Sequence, residues 1–193
     1  MIRLFVAIEI PGELRRRMAA ICQGVDRARW VPEENIHLTL RFIGEVREDV
    51  MEDIVAELSA IGGDPFEVAV VGAGHFESGR RIRTLWLGVE RQPALLSLRE
   101  RVDAALARAG LPPEGRKFKP HITLGRMNDG SPEEVRGWLQ ANTLFRSMPF
   151  TVGQFVLFSS FQGRNGSIHR PEVEFPLGPV DLWAEEEGAD QLE

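Results

Sequence analysis

The chain has no tyrosine, a single cysteine and only two lysines in 193 residues. One cysteine forms no internal disulfide, and without a CxxC pair there is neither a thiolate zinc site nor a redox couple; Cys22 is expected to be a small buried side chain. Long hydrophobic runs are also missing. The opening apolar run, Leu4 to Ile8, is interrupted by Glu9, too short for a signal peptide or a membrane-spanning helix. A cytoplasmic protein without a membrane partner is therefore expected. A composition 43% hydrophobic and 27% charged excludes disorder and collagen and suits one core-forming domain.

The net charge of -6 is unevenly placed. All 23 basic residues stand at or before Arg170, whereas eight of the 29 acidic ones come after it, so the body of the chain is slightly basic. The acidic excess belongs to the C-terminal end, and residues 184–193 read as a solvated, disordered tail on a domain spanning 1–183. Of the basic residues 21 are arginine, a side chain suited to planar contacts with phosphate or carboxylate.

Hydrophobic periodicity divides that domain into alternating elements. Residues 2–10 read as a strand buried on both faces. Leu14, Met18, Ile21 and Val25 trace the stripe of a first helix, and residues 35–44 form a second strand. A helix over 48–61 ends at Gly62-Gly63. Strands at 66–71 and 83–89 flank a Gly-rich loop at 72–79, in which His75 reads as a turn residue. A helix over 93–109 stops at Gly110, a strand occupies 120–126, and Ser131-Pro132-Glu133-Glu134 carries the capping box of a helix reaching 142. Strands at 150–160 and 171–177 close the chain. This order is mixed α+β without a long linker, in two similar halves.

Two tetrapeptides repeat, His37-Leu38-Thr39-Leu40 and His121-Ile122-Thr123-Leu124, both inside predicted strands. Alternation turns His and Thr to one face and the aliphatic residues to the other. If the two strands are equivalent, two imidazoles and two hydroxyls face one ligand across a cleft. A neutral His can take a proton from an attacking water while a protonated His gives one to the departing oxygen. Thr hydroxyls and a nearby Arg can meet the charge that grows on a phosphoryl group. Arg41 shares strand parity with His37 and Thr39, whereas Arg126 has the opposite parity to His121 and reaches the cleft only if the strand ends or bulges near Gly125. Trp30, Phe42 and Phe118 are candidates to stack on a base, or else are core. The pattern around the histidines is not a metal-ligand spacing, and the glycines match no nucleotide-binding fingerprint, so neither a metal nor a cofactor is expected.

With these motifs the sequence resembles the 2H phosphoesterases, and among them the RNA 2',3'-cyclic phosphodiesterases, also called 2'-5' RNA ligases. The resemblance runs through Arg3 to Ile8, Arg29-Trp30-Val31-Pro32, Asn35 to Gly44, Gly74-His75-Phe76 with Leu85 to Val89, and Phe118 to Arg126. It implies a bilobal fold, two antiparallel sheets flanking a central cleft with helices on the outer faces. It further implies that His37 and His121 are the acid and base, that Thr39, Thr123 and Arg126 bind the phosphate, and that no metal takes part. The substrates would be RNA ends or small cyclic nucleotides, opened to a 2'-phosphate. Members of the group often carry a tyrosine before the final strand; this chain has His169 there.

Which histidine is acid and which base stays open at this level. So does the choice among hydrolysis, 2'-5' end joining and hydrolysis of another small cyclic phosphate, since all would use the same residues. A non-catalytic RNA-end-binding module would be expected to have lost a His or a Thr. A cleft complete in one chain suggests a monomer.

Overall fold

The computed structural model describes residues 1–163 and 166–178; the expected acidic tail lies outside them. The chain runs β1 (Ile2–Glu9), α1 (Gly12–Ala20), β2 (Arg29–Trp30), a 3-10 turn (Glu33–Asn35), β3 (His37–Val46), α2 (Glu48–Ser59), β4 (Phe66–Val68) and β5 (Val70–Ser78). It continues through β6 (Arg81–Val89), α3 (Pro93–Arg108), β7 (His121–Gly130), α4 (Pro132–Asn142), β8 (Phe150–Val152), β9 (Gln154–Gly163) and β10 (Gly166–Pro176). One antiparallel sheet has the order β10-β9-β1-β3 and a second the order β2-β7-β6-β5, with β4 and β8 forming a small ribbon. The two strands that carry the repeated motif contact each other where the sheets meet. This is the expected mixed α+β architecture with a cleft between two sheets.

β1 is apolar on both faces because each face covers something different. Leu4, Val6 and Ile8 enter the main core, while Phe5 and Ala7 join Val156 and Phe158 of β9 in a separate apolar layer. Helices cover the far side. α2 and α3 pack on each other, with α3 against β3 and α2 against β10. α4 packs on β5, and its Trp138 indole donates to the Ile21 carbonyl at 2.7 Å, tying it to the end of α1. The predicted capping box of α4 is present, Ser131 N–H donating to Glu134 at 2.7 Å and Glu134 N–H to the Ser131 hydroxyl at 3.4 Å.

Three local readings are corrected. α1 ends at Ala20 rather than near Val25; the chain turns through Gly24 at φ 80°, and Val25 is buried from the next loop instead. Cys22 is half-buried rather than fully enclosed, and burial still pushes its thiol up to about 11. The supposed Gly-rich loop is strand β5, paired with β6 along its length, and His75 sits opposite Leu85 in that ladder. The glycines there serve packing: Gly72, at φ 62°, lies at a register shift between Val71 and Ala73, and Gly74 leaves room for the Trp86 ring to lie across the strand. Glycine in a strand often marks such a close approach, which composition alone reads as a loop.

Replacing Gly74 by Ala places a Cβ only 2.2 Å from the Trp86 ring. The expected outcome is a loss of about 1–3 kcal/mol, seen as a lower urea midpoint with an unchanged denaturant slope.

Candidate active site

His37 opens β3 and His121 opens β7, and the same local device holds both. His37 Nδ1 lies 2.7 Å from the Asn35 carbonyl and His121 Nδ1 2.7 Å from the Lys119 carbonyl, in each case two residues upstream. Nδ1–H is the donor to a carbonyl, which leaves Nε2 of each imidazole available for proton transfer. Asn35 is itself fixed, its amide donating to the Ser167 carbonyl at 2.7 Å.

The repeat extends beyond the tetrapeptides to a bulge. In the β1–β3 ladder Ala7 faces Thr39 and Val6 faces Arg41, so Leu40 is an extra residue. In the β6–β7 ladder Trp86 faces Thr123 and Leu85 faces Gly125, so Leu124 is extra in the same way. Each bulge reverses the parity of the residues after it. In β7 this turns Arg126 to the face of Thr123, meeting the condition its placement required. In β3 it turns Arg41 away from His37 and into the interior, and Phe42 takes the exposed position corresponding to Arg126.

Arg41 is thus not a phosphate ligand. It is 7% exposed and binds the Pro112 carbonyl at 2.5 Å, with Asp103 at 3.6 Å and Glu114 at 3.4 Å. Arg99, also buried, pairs with the same Asp103. This cluster fastens β3 to the 111–117 segment that leads into β7.

A cavity of about 780 Å³ between the sheets is lined by His37, Thr39, Thr123, Arg126 and His169, among others. His121 is not part of that lining; it shares the strand face of Thr123, with the Phe76 ring edge-on at 4.8 Å and Trp86 at 6.2 Å. Lys119 Nζ sits 4.3 Å from the Trp86 ring centre. Phe42 reaches the cavity and is 59% exposed. Of the other aromatic candidates, Trp30 touches the cavity wall but packs its ring against Gly125 and Trp138, and Phe118 lies beneath Arg99. His75 is absent from the cavity. Among the described residues no three His, Cys, Asp or Glu side chains converge as metal ligands would.

His169 enters the cavity because the β9–β10 hairpin is longer than the sequence suggests, pairing out to Gly163 and Gly166. Its ring packs edge-on against both Phe5 and His37, at 4.9 and 5.3 Å between centres. Phe5 stacks under His37 at 4.9 Å and on Phe158 at 5.2 Å. This apolar backing disfavours the charged imidazole: burial, then the neighbouring His169 and Arg126, push His37 down to about 4, the Asn35 carbonyl opposing them. Burial also lowers His121, with Lys119 and Arg126 adding to it against the Lys119 carbonyl. His169 is lowered by burial and Arg126, and its Nδ1 is enclosed with no partner among the described residues. A proton there would have no acceptor, so the neutral tautomer carrying its hydrogen on Nε2 is favoured.

Comparison with known proteins adds to this geometry. Residues 10–164 match the family model described as the 2'-5' RNA ligase superfamily. The chain is 33% identical over 186 residues to an RNA 2',3'-cyclic phosphodiesterase of Thermotoga maritima, covering 92% of this chain and 98% of that one. It is 34% identical over 184 residues to the Escherichia coli K12 protein of that name, covering 91% and 96%. Among solved structures it resembles E. coli LigT complexed with 3'-AMP, with a TM-score of 0.75 at 27% identity over 92% of this chain and 99% of that one.

His37 should titrate near pH 4 by ¹H–¹⁵N NMR, and His169→Gln should raise that midpoint while leaving it below 6.5, since burial remains. The unfolded chain protonates His37 near 6.5 and the folded one only near 4. Its contribution to stability is therefore complete above pH 6.5 and is lost as the pH falls toward 4.

Proposed function

This chain belongs to the 2'-5' RNA ligase superfamily, and from that membership together with the site we propose that it hydrolyses RNA 2',3'-cyclic phosphate ends to 2'-phosphates through His37 and His121. The observation that carries the assignment of residues is the pair of bulged His-x-Thr strands, which present His37, Thr39, Thr123 and Arg126 to one cleft with His121 on the Thr123 face.

One imidazole, neutral, removes a proton from water as the water oxygen attacks phosphorus. The bond from phosphorus to O3' breaks, and the other imidazole, protonated, donates through Nε2 to O3' as it leaves. The products are a 2'-phosphate monoester and a free 3'-hydroxyl. Thr39 and Thr123 donate to the non-bridging oxygens and Arg126 neutralises them as charge accumulates. Both proton transfers are supplied by side chains, so the step runs without a metal. Phe42, flat and exposed at the position corresponding to Arg126, offers a stacking face to the base. His169 presents a neutral Nε2–H beside His37. The site is complete in one chain, which supports a monomer acting on RNA ends. Among the described residues no helix is long and apolar enough to cross a membrane.

The deciding experiment is incubation of a short RNA bearing a 2',3'-cyclic phosphate with the protein in excess chelator, with analysis of the product. A 2'-phosphate is expected; a 3'-phosphate, or no turnover, overturns the reading. His37→Ala and His121→Ala should each lose about 10²–10⁴-fold in kcat, and Thr39→Val or Thr123→Val about 10²–10³-fold. The pH profile of kcat/KM, which reports the free protein, should be bell-shaped with its maximum below 6.5, because both imidazoles are held down there.

A further inference from the structure

Arg126 has a neighbour that hydrolysis of a single phosphate does not use. β2 is two residues long, and its register with β7 sets Arg29 directly opposite Arg126 and Trp30 opposite Gly125. Like charges directly opposed across a ladder destabilise it. Here neither guanidinium has a carboxylate within 4.0 Å among the described residues. Arg29 is held instead by a neutral group, donating to the Asn128 amide oxygen at 3.0 Å.

The backbone at Arg29 is anchored despite the shortness of its strand. Val31 N–H donates to the Leu124 carbonyl at 2.8 Å, and the Trp30 ring lies so close over Gly125 that a Cβ there would stand 2.9 Å from it. The exposed guanidinium is tied through Asn128 to the same strand that carries Thr123 and Arg126. Space continues past it. The large cavity reaches Arg29, and Arg29 also lines a smaller one of about 130 Å³ with Arg27, Met127, Asn128 and Asp129. Arg27 is already paired with Glu134 at 3.3 Å, so Arg29 is the cation left available along this path.

Two opposed, uncompensated arginines fit two anions. One is the reacting phosphate beside Arg126. We infer that Arg29 binds the second, the phosphodiester on the 5' side of the terminal nucleotide, and that the site is thereby built for the ends of RNA strands over mononucleoside cyclic phosphates. This rests on the hydrolase reading above. Opposite Cα atoms in such a ladder stand about 5 Å apart, and two long arginine side chains fanning from them can reach phosphates on either side of one ribose. Binding of that upstream phosphate also removes the repulsion that the free protein tolerates.

The test compares a trinucleotide ending in a 2',3'-cyclic phosphate with a nucleoside 2',3'-cyclic phosphate, which has no upstream phosphodiester. In the wild-type protein the trinucleotide should have the higher kcat/KM. Arg29→Gln should lower the ratio of the two kcat/KM values about tenfold, mainly through KM for the trinucleotide, and Arg29→Lys should restore part of it. The slope of log kcat/KM against log salt for the trinucleotide should become shallower by about 0.7, the value for one phosphate contact on a single strand. The urea midpoint of Arg29→Gln should be equal to or above wild type, since a like-charge pair is relieved. An unchanged ratio, or an equal loss on both substrates, overturns the upstream subsite while leaving the hydrolase reading in place. Failure of the wild-type protein to turn over either substrate overturns the hydrolase reading and the subsite with it.

Discussion

A strand can show a given face only at every second residue, and the site depends on how this chain breaks that rule twice at the same place. The extra residue at Leu40 and at Leu124 lets a strand present His, Thr and then a residue five positions after the His, while three interior positions anchor it from behind. Without the bulge in β7, Arg126 would lie on the core side, where a charge without a partner is costly. Without the bulge in β3, Phe42 would be inside and Arg41 in the cleft. The bulges are thus what allows one short motif to carry both the groups proposed to transfer protons and those proposed to receive a phosphate.

Aromatic backing supplies the second constraint. Phe5 and Phe158 lie under His37, and Phe76 and Trp86 against His121, so each imidazole has an apolar wall, and His37 has the cleft on its other side. The walls hold the rings in place through packing, and the upstream carbonyls hold their tautomers. Together they favour the neutral form of both histidines. In the proposed reaction the substrate phosphate would supply the negative charge that makes protonation of one of them favourable.

Much of this is legible from residue order, and the remainder is hidden for identifiable reasons. The faces of His37, Thr39, His121 and Thr123 follow from alternation, and the helices from apolar stripes and the Ser131 cap, because these signals are local. Alternation misplaces Arg41 because a bulge is decided by the partner strand, β1, which the sequence of β3 does not reveal. β5 reads as a loop because Gly72 sits at a register shift and Gly74 makes room for Trp86, a contact from another strand. His169 comes into the cleft only through pairing beyond Ser160, with Pro171 tolerated at an irregularity on the edge strand β10. Arg29 belongs to a strand of two residues, too short for any periodicity to mark it.

The two halves share a frame but not an identity, and the differences all fall around the ligand. Where β7 offers Arg126, β3 offers Phe42; where β3 has His169 leaning on its histidine, β7 has Lys119 over Trp86. On the Phe42 side the cleft-lining cation is Arg3, which is paired with Glu45 at 3.5 Å, whereas Arg29 has no such carboxylate among the described residues. A ligand with one phosphate at its centre and nothing else would be served equally by two identical halves. A nucleotide end is not symmetric: on one side of its cyclic phosphate the strand carries further charge, and on the other a flat base projects. Cations gathered on the paired strands β2 and β7 and an exposed aromatic ring on β3, at the position matching Arg126, fit such a ligand. On this reading the repeated elements carry the proposed chemistry, and the positions where the repeat fails carry the direction in which an RNA end would lie.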